Sequence, residues 1–189
     1  MKTSSVILIP GLLLLTLAVC GDKKEIATVP GSSELIKRGD DLFSKQEKAE
    51  ALEVYKAAAD TALAENNNSD LTEAYAQIAR CYLSMGNKEE GRPWLEKAEK
   101  IAKDTEPYGW TRYLGVKGRF LWRDAAEEKR EVSPEVDEAA KIFTQMYDYA
   151  VKHRLHDRAV DAANMMSIVG DKEARIEWGL KGIKAAEEG

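Results

Sequence analysis

The sequence predicts an all-α fold, a solenoid of about four helix-turn-helix units, from two observations. One skeleton is repeated in two stretches, YAQIARCYLSMGNKEEGRPWLEKAEK at 75–100 and AANMMSIVGDKEARIEWGLKGIK at 162–184. Aligning Gly86 with Gly170 also aligns the tryptophans and three lysines of the two stretches. Charged residues make up 32% of the chain and aromatic residues 7%, which suits solvated helices better than a β-sandwich. A repeated two-helix unit indicates a solenoid, which presents a long surface to another protein.

Residues 1–19 are predicted to be a secretory signal peptide. One basic residue, Lys2, precedes the apolar run Val6–Val19, and a polar segment follows it. The run has 14 residues. A helix that spans a membrane needs about 20. A basic start, a short apolar run and a polar continuation are typical of a segment that is removed on export.

The end of the apolar run, LAVC at 17–20, resembles the lipobox of bacterial lipoproteins. The resemblance implies that Cys20 becomes the lipidated first residue of the exported chain and that residues 20–31 form an anchor and a polar tether. Val19 stands where that family has Gly, Ala or Ser, which leaves plain secretion as the alternative. Gly21 after the cysteine favours the outer membrane, by the sorting preference of enterobacterial lipoproteins. The chain would then face the periplasm or the cell exterior.

Charge and cysteine content exclude two further classes. The chain has 28 basic and 33 acidic residues and a net charge of −5, which argues against nucleic acid as the main partner. Cys81 is the second of only two cysteines, so the sequence has no disulfide framework. Because its neighbours are apolar, Cys81 is predicted to be a small buried side chain and not a nucleophile.

Small and apolar residues recur at fixed places along residues 32–188. The spacing of Ala51, Tyr55 and Ala58 resembles the second helix of tetratricopeptide repeats, and WLEKA at 94–98 is also similar to Sel1-like repeats. Both resemblances imply a right-handed α-solenoid. The units are predicted at about 32–65, 72–104, 106–153 and 155–188. Small residues are predicted at close helix contacts at Gly39, Ala51, Ala79, Gly118 and Ala163.

Two features interrupt the second unit. The sequence NNNSD at 66–70 is predicted to be a polar break, an insertion of about six residues, with Ser69 or Asp70 as the N-cap of the next helix. Pro93 lies in the second helix of this unit. Because proline lacks a backbone N–H, it is predicted to bend that helix or to delay its start.

The third unit is predicted to be irregular. Its helical pattern continues through 123–130, which predicts an unusually long first helix. Ser133 and Pro134 are then expected to cap a new helix that runs to about Lys152.

The tetratricopeptide resemblance implies that the first helix of each unit lines a concave groove. Arg112, Arg119 and Arg123 lie seven and four residues apart and therefore share one face of their helix, with Arg80 on the neighbouring unit and Trp122 beside them. The groove positions of the family fall on Ile36, Asp40, Phe43, Glu73, Arg80, Leu83, Arg112, Arg119, Trp122, Arg123, Val160, Asn164 and Ser167.

These arginines predict the chemistry of a partner. A guanidinium group binds a carboxylate through two parallel hydrogen bonds, so a protein or peptide with an acidic segment or a free C-terminus is expected. The alternative is that the arginines pair with acidic residues of the chain itself, such as Asp40 and Glu73, on a solvated face.

The sequence therefore predicts a non-catalytic adaptor of the bacterial cell envelope, tethered by lipid and without a cofactor. One alternative is a structural protein that associates with itself through the fourth unit, because repeat arrays usually end in a polar capping helix and none follows Gly189. Another is a metal-dependent hydrolase. His153 and His156, the only histidines, lie close to Asp157 in the sequence, and two imidazoles with a carboxylate could hold zinc.

Overall fold

The computed structural model describes residues 30–127 and 133–189, and in these ranges the chain forms helices and no strands. This confirms the predicted all-α, solenoid-like fold. The predicted signal peptide and Cys20 lie outside the described residues. The helices are α1 (Ser32–Ser44), α2 (Lys48–Glu65), α3 (Asn68–Ser84), α4 (Lys88–Ile101), α5 (Pro107–Glu127), α6 (Pro134–Lys152), α7 (His156–Val169) and α8 (Lys172–Glu187).

The helices pack in chain order, as four successive pairs. The pairs are α1 with α2, α3 with α4, α5 with α6, and α7 with α8. The odd-numbered helices also contact one another in series, α1 with α3, α3 with α5, and α5 with α7. These four helices therefore form one continuous layer, and the side chains of that layer build the groove described below.

Small residues let the two helices of a unit approach closely, as predicted. A Cβ atom on Gly39 would lie 2.5 Å from Cε1 of Tyr55, and one on Gly118 would lie 2.6 Å from Cζ of Phe143. In both places an aromatic ring of the second helix occupies the space that a side chain would need. The three alanines predicted at such contacts are also buried, namely Ala51, Ala79 and Ala163.

The predicted polar break at 66–70 is wrong in extent. Helix α2 ends at Glu65 and α3 begins at Asn68, so the additional residues lengthen α2 and α3 and do not form a loop. The N-cap is Asn67, whose side chain accepts a hydrogen bond from the backbone N–H of Asp70 at 3.1 Å. Asp70 is the third residue of α3 and not its cap, and its carboxylate accepts a hydrogen bond from the Ser32 hydroxyl at 2.6 Å.

Pro93 does not delay the start of its helix, so this one of its two predicted effects is wrong. Helix α4 begins at Lys88 and contains Pro93 in its second turn. Pro93 removes the hydrogen bond that a backbone N–H would have donated to the carbonyl of Glu89, and the first turn forms ahead of it.

The third unit follows the prediction in the described part. Helix α5 extends at least to Glu127, and the rest of the predicted extension to residue 130 lies outside the described residues. The hydroxyl of Ser133 accepts a hydrogen bond from the N–H of Val136 at 3.3 Å and caps α6, which ends at Lys152 as expected.

Buried clusters continue along the array from α1 to α8. Cys81 belongs to the first cluster and is fully buried, and burial raises the pKa of its thiol to about 12. It is thus the small buried residue that the sequence predicts. Among the described helices, none combines the length and the apolar character that a membrane crossing requires.

Candidate partner-binding groove

Two adjoining cavities open where the four odd-numbered helices converge. We call them the arginine cavity, of ≈220 Å³, and the mixed cavity, of ≈360 Å³, and together they form the groove. Phe43 and Arg80 line both. The arginine cavity is lined by Phe43, Arg80, Leu83, Ser84, Arg119, Trp122, Arg123, Met165 and Ile168. The mixed cavity is lined by Asp40, Phe43, Ser44, Gln46, Arg80, Arg112, Asp157, Arg158 and Asp161.

The two cavities differ in charge. The arginine cavity has three guanidinium groups and apolar walls, and no carboxylate lines it. The mixed cavity has three arginines and three aspartates. An anionic ligand is therefore attracted to one part of the groove more than to the other.

Four charged residues of the groove and its floor form a paired cluster that joins all four odd-numbered helices. The Nε atom of Arg112 on α5 donates to Oε1 of Glu73 on α3 at 2.9 Å, and its Nη2 atom donates to Oδ2 of Asp40 on α1 at 2.5 Å. Arg158 on α7 donates to the same Glu73 carboxylate. The side chains of Arg112, Arg158 and Glu73 are 8%, 9% and 5% exposed, so these three members are nearly closed to solvent, whereas the Asp40 side chain is 36% exposed.

The contacts of this cluster favour the charged forms of Asp40 and Arg112. Burial opposes ionisation of Asp40, but Arg112 and the hydrogen bonds from Tyr55 and Gln77 hold its pKa below the ordinary value. Burial likewise opposes the charge on Arg112, and the carboxylates of Glu73 and Asp40 outweigh it and raise the pKa of Arg112. The hydroxyl of Tyr55 donates to Oδ1 of Asp40 at 2.5 Å, which adds α2 to the network.

Arg119 belongs to a second ion pair. Its Nη2 atom donates to Oδ1 of Asp161 on α7 at 2.5 Å, and its Nη1 atom donates to the carbonyl of Gly115 at 2.9 Å. Burial would raise the pKa of Asp161, but Arg119 and Arg80 lower it. Arg119 therefore already has an anionic partner, although it lines the arginine cavity.

Arg80 differs from Arg112, Arg119 and Arg158. Within the described part of the chain no carboxylate forms an ion pair with it, and its guanidinium lies over the ring of Phe43, 4.5 Å from the centroid. Burial and the nearby cation Arg119 lower the pKa of Arg80 to about 10. The protein thus holds a charged group in an unfavourable position at the junction of the two cavities, where a bound anion would stabilise it.

Trp122 and Arg123 form the outer edge of the arginine cavity. Trp122 is half-buried and packs against the cluster that contains Met166, while Arg123 is exposed and its guanidinium lies 5.7 Å from the Trp122 ring centroid. Trp122 thus serves both the core and the cavity wall.

Eight of the thirteen predicted groove positions line the two cavities, namely Asp40, Phe43, Arg80, Leu83, Arg112, Arg119, Trp122 and Arg123. The other five, Ile36, Glu73, Val160, Asn164 and Ser167, line neither cavity. Asn164 was predicted to contact the partner but is exposed on α7 outside the groove. Its position around the helix explains this, because Arg158, Asp161, Met165 and Ile168 form a row that lines the groove, and Asn164 lies beside that row.

Sequence analysis missed Arg158, which completes the paired cluster. The family positions projected onto α7 begin at Val160, so Arg158 was not among them. Its partner Glu73 is 85 residues away along the chain. The one signal available was its spacing of three from Asp161 and seven from Met165, which places the three side chains on one helix face.

The histidines do not assemble a metal site in the described residues. His153 follows α6 and stacks on the Tyr149 ring, with centroids 4.2 Å apart, and His156 begins α7. Within residues 30–127 and 133–189, no group of three His, Cys, Asp or Glu side chains could hold a metal ion. The hydrolase alternative therefore gains no support from the geometry.

A larger hollow of ≈700 Å³ is lined only by residues of α6, among them Thr144 and Tyr149. Because a single helix provides its whole lining, it is an open surface depression and not an enclosed site. The groove is therefore the candidate functional site.

No model of a protein family, no curated protein and no solved structure matches this chain.

Proposed function

We propose that this protein is an exported, lipid-anchored, non-catalytic adaptor of the bacterial cell envelope, whose groove binds an anionic peptide segment of a partner protein. The observation that carries the proposal is Arg80, a largely buried cation without a carboxylate partner among the described residues, at the junction of the two cavities. A hydrogen bond between charged groups contributes about 1.5–3 kcal/mol. A ligand carboxylate beside Arg80 would supply that contribution.

The arginine cavity also indicates what should surround the carboxylate of the ligand. Leu83, Trp122 and Met165 provide apolar walls next to the guanidinium groups of Arg80 and Arg123. The partner segment should therefore carry an apolar side chain close to its negative charge. Both a free C-terminus with an apolar last residue and an internal Asp or Glu beside an apolar residue have this chemistry.

Arg112 supports the groove without binding the partner in this account. Both its Nε and its Nη2 atoms already donate to carboxylates, and the side chain is 8% exposed. Its role is to hold α1, α3 and α5 at a fixed separation, so that Arg80 and Arg123 are presented in a groove of constant shape.

The test compares Arg80→Gln with Arg38→Gln in purification of cross-linked complexes from envelopes. Arg38 is exposed on α1 and does not line the groove, so its substitution removes an arginine of the same helix layer without touching the site. We expect Arg80→Gln to lose the partner that wild type and Arg38→Gln retain. Equal capture by all three proteins would exclude the groove as the binding site.

Peptides from the captured partner then separate the two ligand types. For a C-terminal ligand, replacing the terminal carboxylate by an amide should weaken binding about tenfold or more, and internal Asp or Glu substitutions should have little effect. An internal acidic ligand gives the reverse pattern. A peptide whose affinity is independent of both its carboxylates and the salt concentration would contradict an anionic ligand.

Arg119 is less suitable than Arg80 for this test. Reversal to Glu would place a second carboxylate beside Asp161, which among the described residues accepts a hydrogen bond from no cation other than Arg119. The variant would then lose stability for a reason unrelated to the partner. Arg80→Gln removes a charge that has no such ion pair.

The anchor is tested separately at Cys20. Growth with a palmitate analogue should label the wild-type chain and leave Cys20→Ala unlabelled, because the proposed lipid is attached to that residue. Equal labelling of both chains, or of neither, would replace the lipoprotein by a plainly secreted protein and leave the groove proposal untouched.

A further inference from the structure

Helix α8 has an apolar face that no other described helix covers. Ile176, Leu180 and Ile183 are 65%, 63% and 57% exposed and follow one another at helical spacings of four and three. Trp178 and Ala185 are buried at 7% and 3% against the array. Since residues advance by 100° around a helix, the exposed stripe lies about 180° from the buried face. We call it the α8 stripe.

The α8 stripe is unusual among the exposed apolar residues of the described chain. The other large ones are isolated, such as Leu63 on α2, Tyr108 on α5 and Val151 on α6. Single exposed apolar side chains are common on protein surfaces, whereas a contiguous stripe marks an interaction site.

Gly179 lies beside the α8 stripe, about 60° around the helix from Ile176 and about 100° from Leu180. A Cβ atom there would meet nothing within 4 Å, and its φ is not in the left-handed region. A glycine in the middle of a helix destabilises it relative to alanine. Gly182 is different, because a Cβ atom there would lie 3.3 Å from Cβ of Ala163. Gly179 instead leaves one flank of the stripe without a side chain, so that a second helix can approach closely on that side.

The stripe can pack against itself when two copies of α8 run antiparallel. If the twofold axis passes between positions 179 and 180, Ile176 of one copy lies opposite Ile183 of the other. The axis is perpendicular to both helices and keeps each flank of the stripe on its own side, so Leu180 meets Leu180 of the second copy and Gly179 faces Gly179 of the second copy. A twofold arrangement requires that a surface be complementary to itself, and this helix face satisfies that requirement.

Charges beside the stripe favour the same arrangement. Glu173, Glu177 and Lys184 lie within about 40° of one another around the helix, on one flank of the stripe. All three are exposed. In the antiparallel arrangement the two glutamates near the start of one helix approach the lysine near the end of the other.

We infer that α8 is a self-association face, through which two copies of this chain form an isologous dimer with antiparallel α8 helices. No residue that lines the groove belongs to α8. The dimer therefore leaves both grooves open and presents two binding sites from one particle, which increases the avidity for a partner that carries more than one copy of the bound segment.

The test uses disulfide cross-linking in cells, with two differently tagged copies of the full chain in a Cys20→Ala background. Cys81 is fully buried, so it does not compete with engineered surface thiols. We expect Ile176→Cys in one copy to cross-link with Ile183→Cys in the other, and each to cross-link poorly with itself. Self-linked products without the mixed product would overturn the antiparallel arrangement.

Absence of any cross-linked product would overturn self-association altogether. In that case the stripe is covered by another surface, such as the lipid bilayer, another protein or the part of this chain outside the described residues. Overexpression of both copies favours the dimer because the protein concentration is high. Absence of a cross-linked product under these conditions therefore excludes self-association.

Gly179→Ala provides a second test with two opposite expected effects. It should raise the thermal midpoint, because alanine favours the helix and the Cβ atom meets nothing in the chain. It should also lower the yield of the mixed disulfide several-fold, because the two new Cβ atoms would face each other on the flank where the helices approach. An unchanged yield would contradict the proposed packing.

Leu180→Gln should lower the yield of the mixed disulfide at least as much as Gly179→Ala does. Leu63→Gln is the matched control for this variant. Leu63 is 53% exposed on α2, comparable to the 63% of Leu180, and lies outside the stripe. Equal yields for these two variants would show that general surface polarity, and not the α8 stripe, determines the cross-linking.

Discussion

Two groups of arginines lie in the same groove and have different surroundings. Arg112 and Arg158 share the carboxylate of Glu73, and Arg112 also donates to Asp40. Arg80 lies over the ring of Phe43 without a carboxylate partner in the described residues. The first group links α1, α3, α5 and α7, whereas Arg80 is a cation that forms no ion pair among the described residues.

This difference teaches that the position of an arginine on a solenoid does not decide its role. The paired arginines fix the separation of the helices, because a buried charge must keep its partner at hydrogen-bonding distance. Arg80 then occupies a groove whose shape others maintain. The comparison therefore separates residues needed for the fold from a residue available to a ligand, and each prediction below tests that separation.

The largest effect is expected for Glu73→Gln, which would break the paired cluster. The substitution preserves shape but leaves Arg112 with one carboxylate and Arg158 without its partner in the cluster. Removal of one partner from a buried ion pair costs about 3–5 kcal/mol. Urea unfolding should show this loss.

Glu50→Gln is the control for that measurement. Glu50 is exposed on α2, and its substitution should change the free energy of unfolding by no more than about 0.5 kcal/mol. Equal stability of the Glu73 and Glu50 variants would mean that the paired cluster does not hold the helices together.

Gly39→Ala should destabilise the protein by a smaller amount, about 1–3 kcal/mol. The new Cβ atom would lie 2.5 Å from the Tyr55 ring, and displacement of that ring also disturbs the hydrogen bond from Tyr55 to Asp40. Thermal unfolding measures the effect. A midpoint equal to that of wild type would remove the close contact between α1 and α2 from this account.

Acid should weaken the folded state through the two aspartates of the groove. Their arginine partners hold the pKa values of Asp40 and Asp161 below the ordinary 3.8, so both carboxylates stabilise the fold above that pH. This contribution is lost as the pH falls through the lowered pKa values. The free energy of unfolding should therefore decrease from about pH 5 downward, and less steeply in Asp161→Asn. Identical slopes for wild type and Asp161→Asn would contradict the ionised pair with Arg119.

Much of the fold could be predicted from the sequence because its determinants are local. The repeat around Gly86 and Gly170 indicated the helix pairs, and the spacing of Ala51 and Tyr55 indicated which residues are buried. Helix ends were harder to place. At residues 66–70, the sequence could not show that Ser32, distant in the chain, engages the Asp70 carboxylate and leaves the capping role to Asn67.

The groove could be predicted only in outline. Helical spacing placed Arg119 and Arg123 on one face, and the structure brings both to the arginine cavity with Arg80. Which arginines are paired depends on contacts between helices far apart in the chain, such as Arg158 with Glu73. No local pattern shows such a contact, so the sequence left paired and unpaired arginines indistinguishable. The hand of the superhelix likewise stays a prediction.

The most direct test of the central claim is urea unfolding of Arg80→Gln and Arg112→Gln side by side, without a partner. Arg112→Gln should lose about 3–5 kcal/mol, because it removes the cation that pairs with Asp40 and one of the two cations that pair with Glu73. Arg80→Gln should stay within about 1 kcal/mol of wild type, because it breaks no ion pair among the described residues and loses a contact with the Phe43 ring. Equal and large losses in both variants would contradict the account, since Arg80 would then be a structural residue and not a group kept for a ligand.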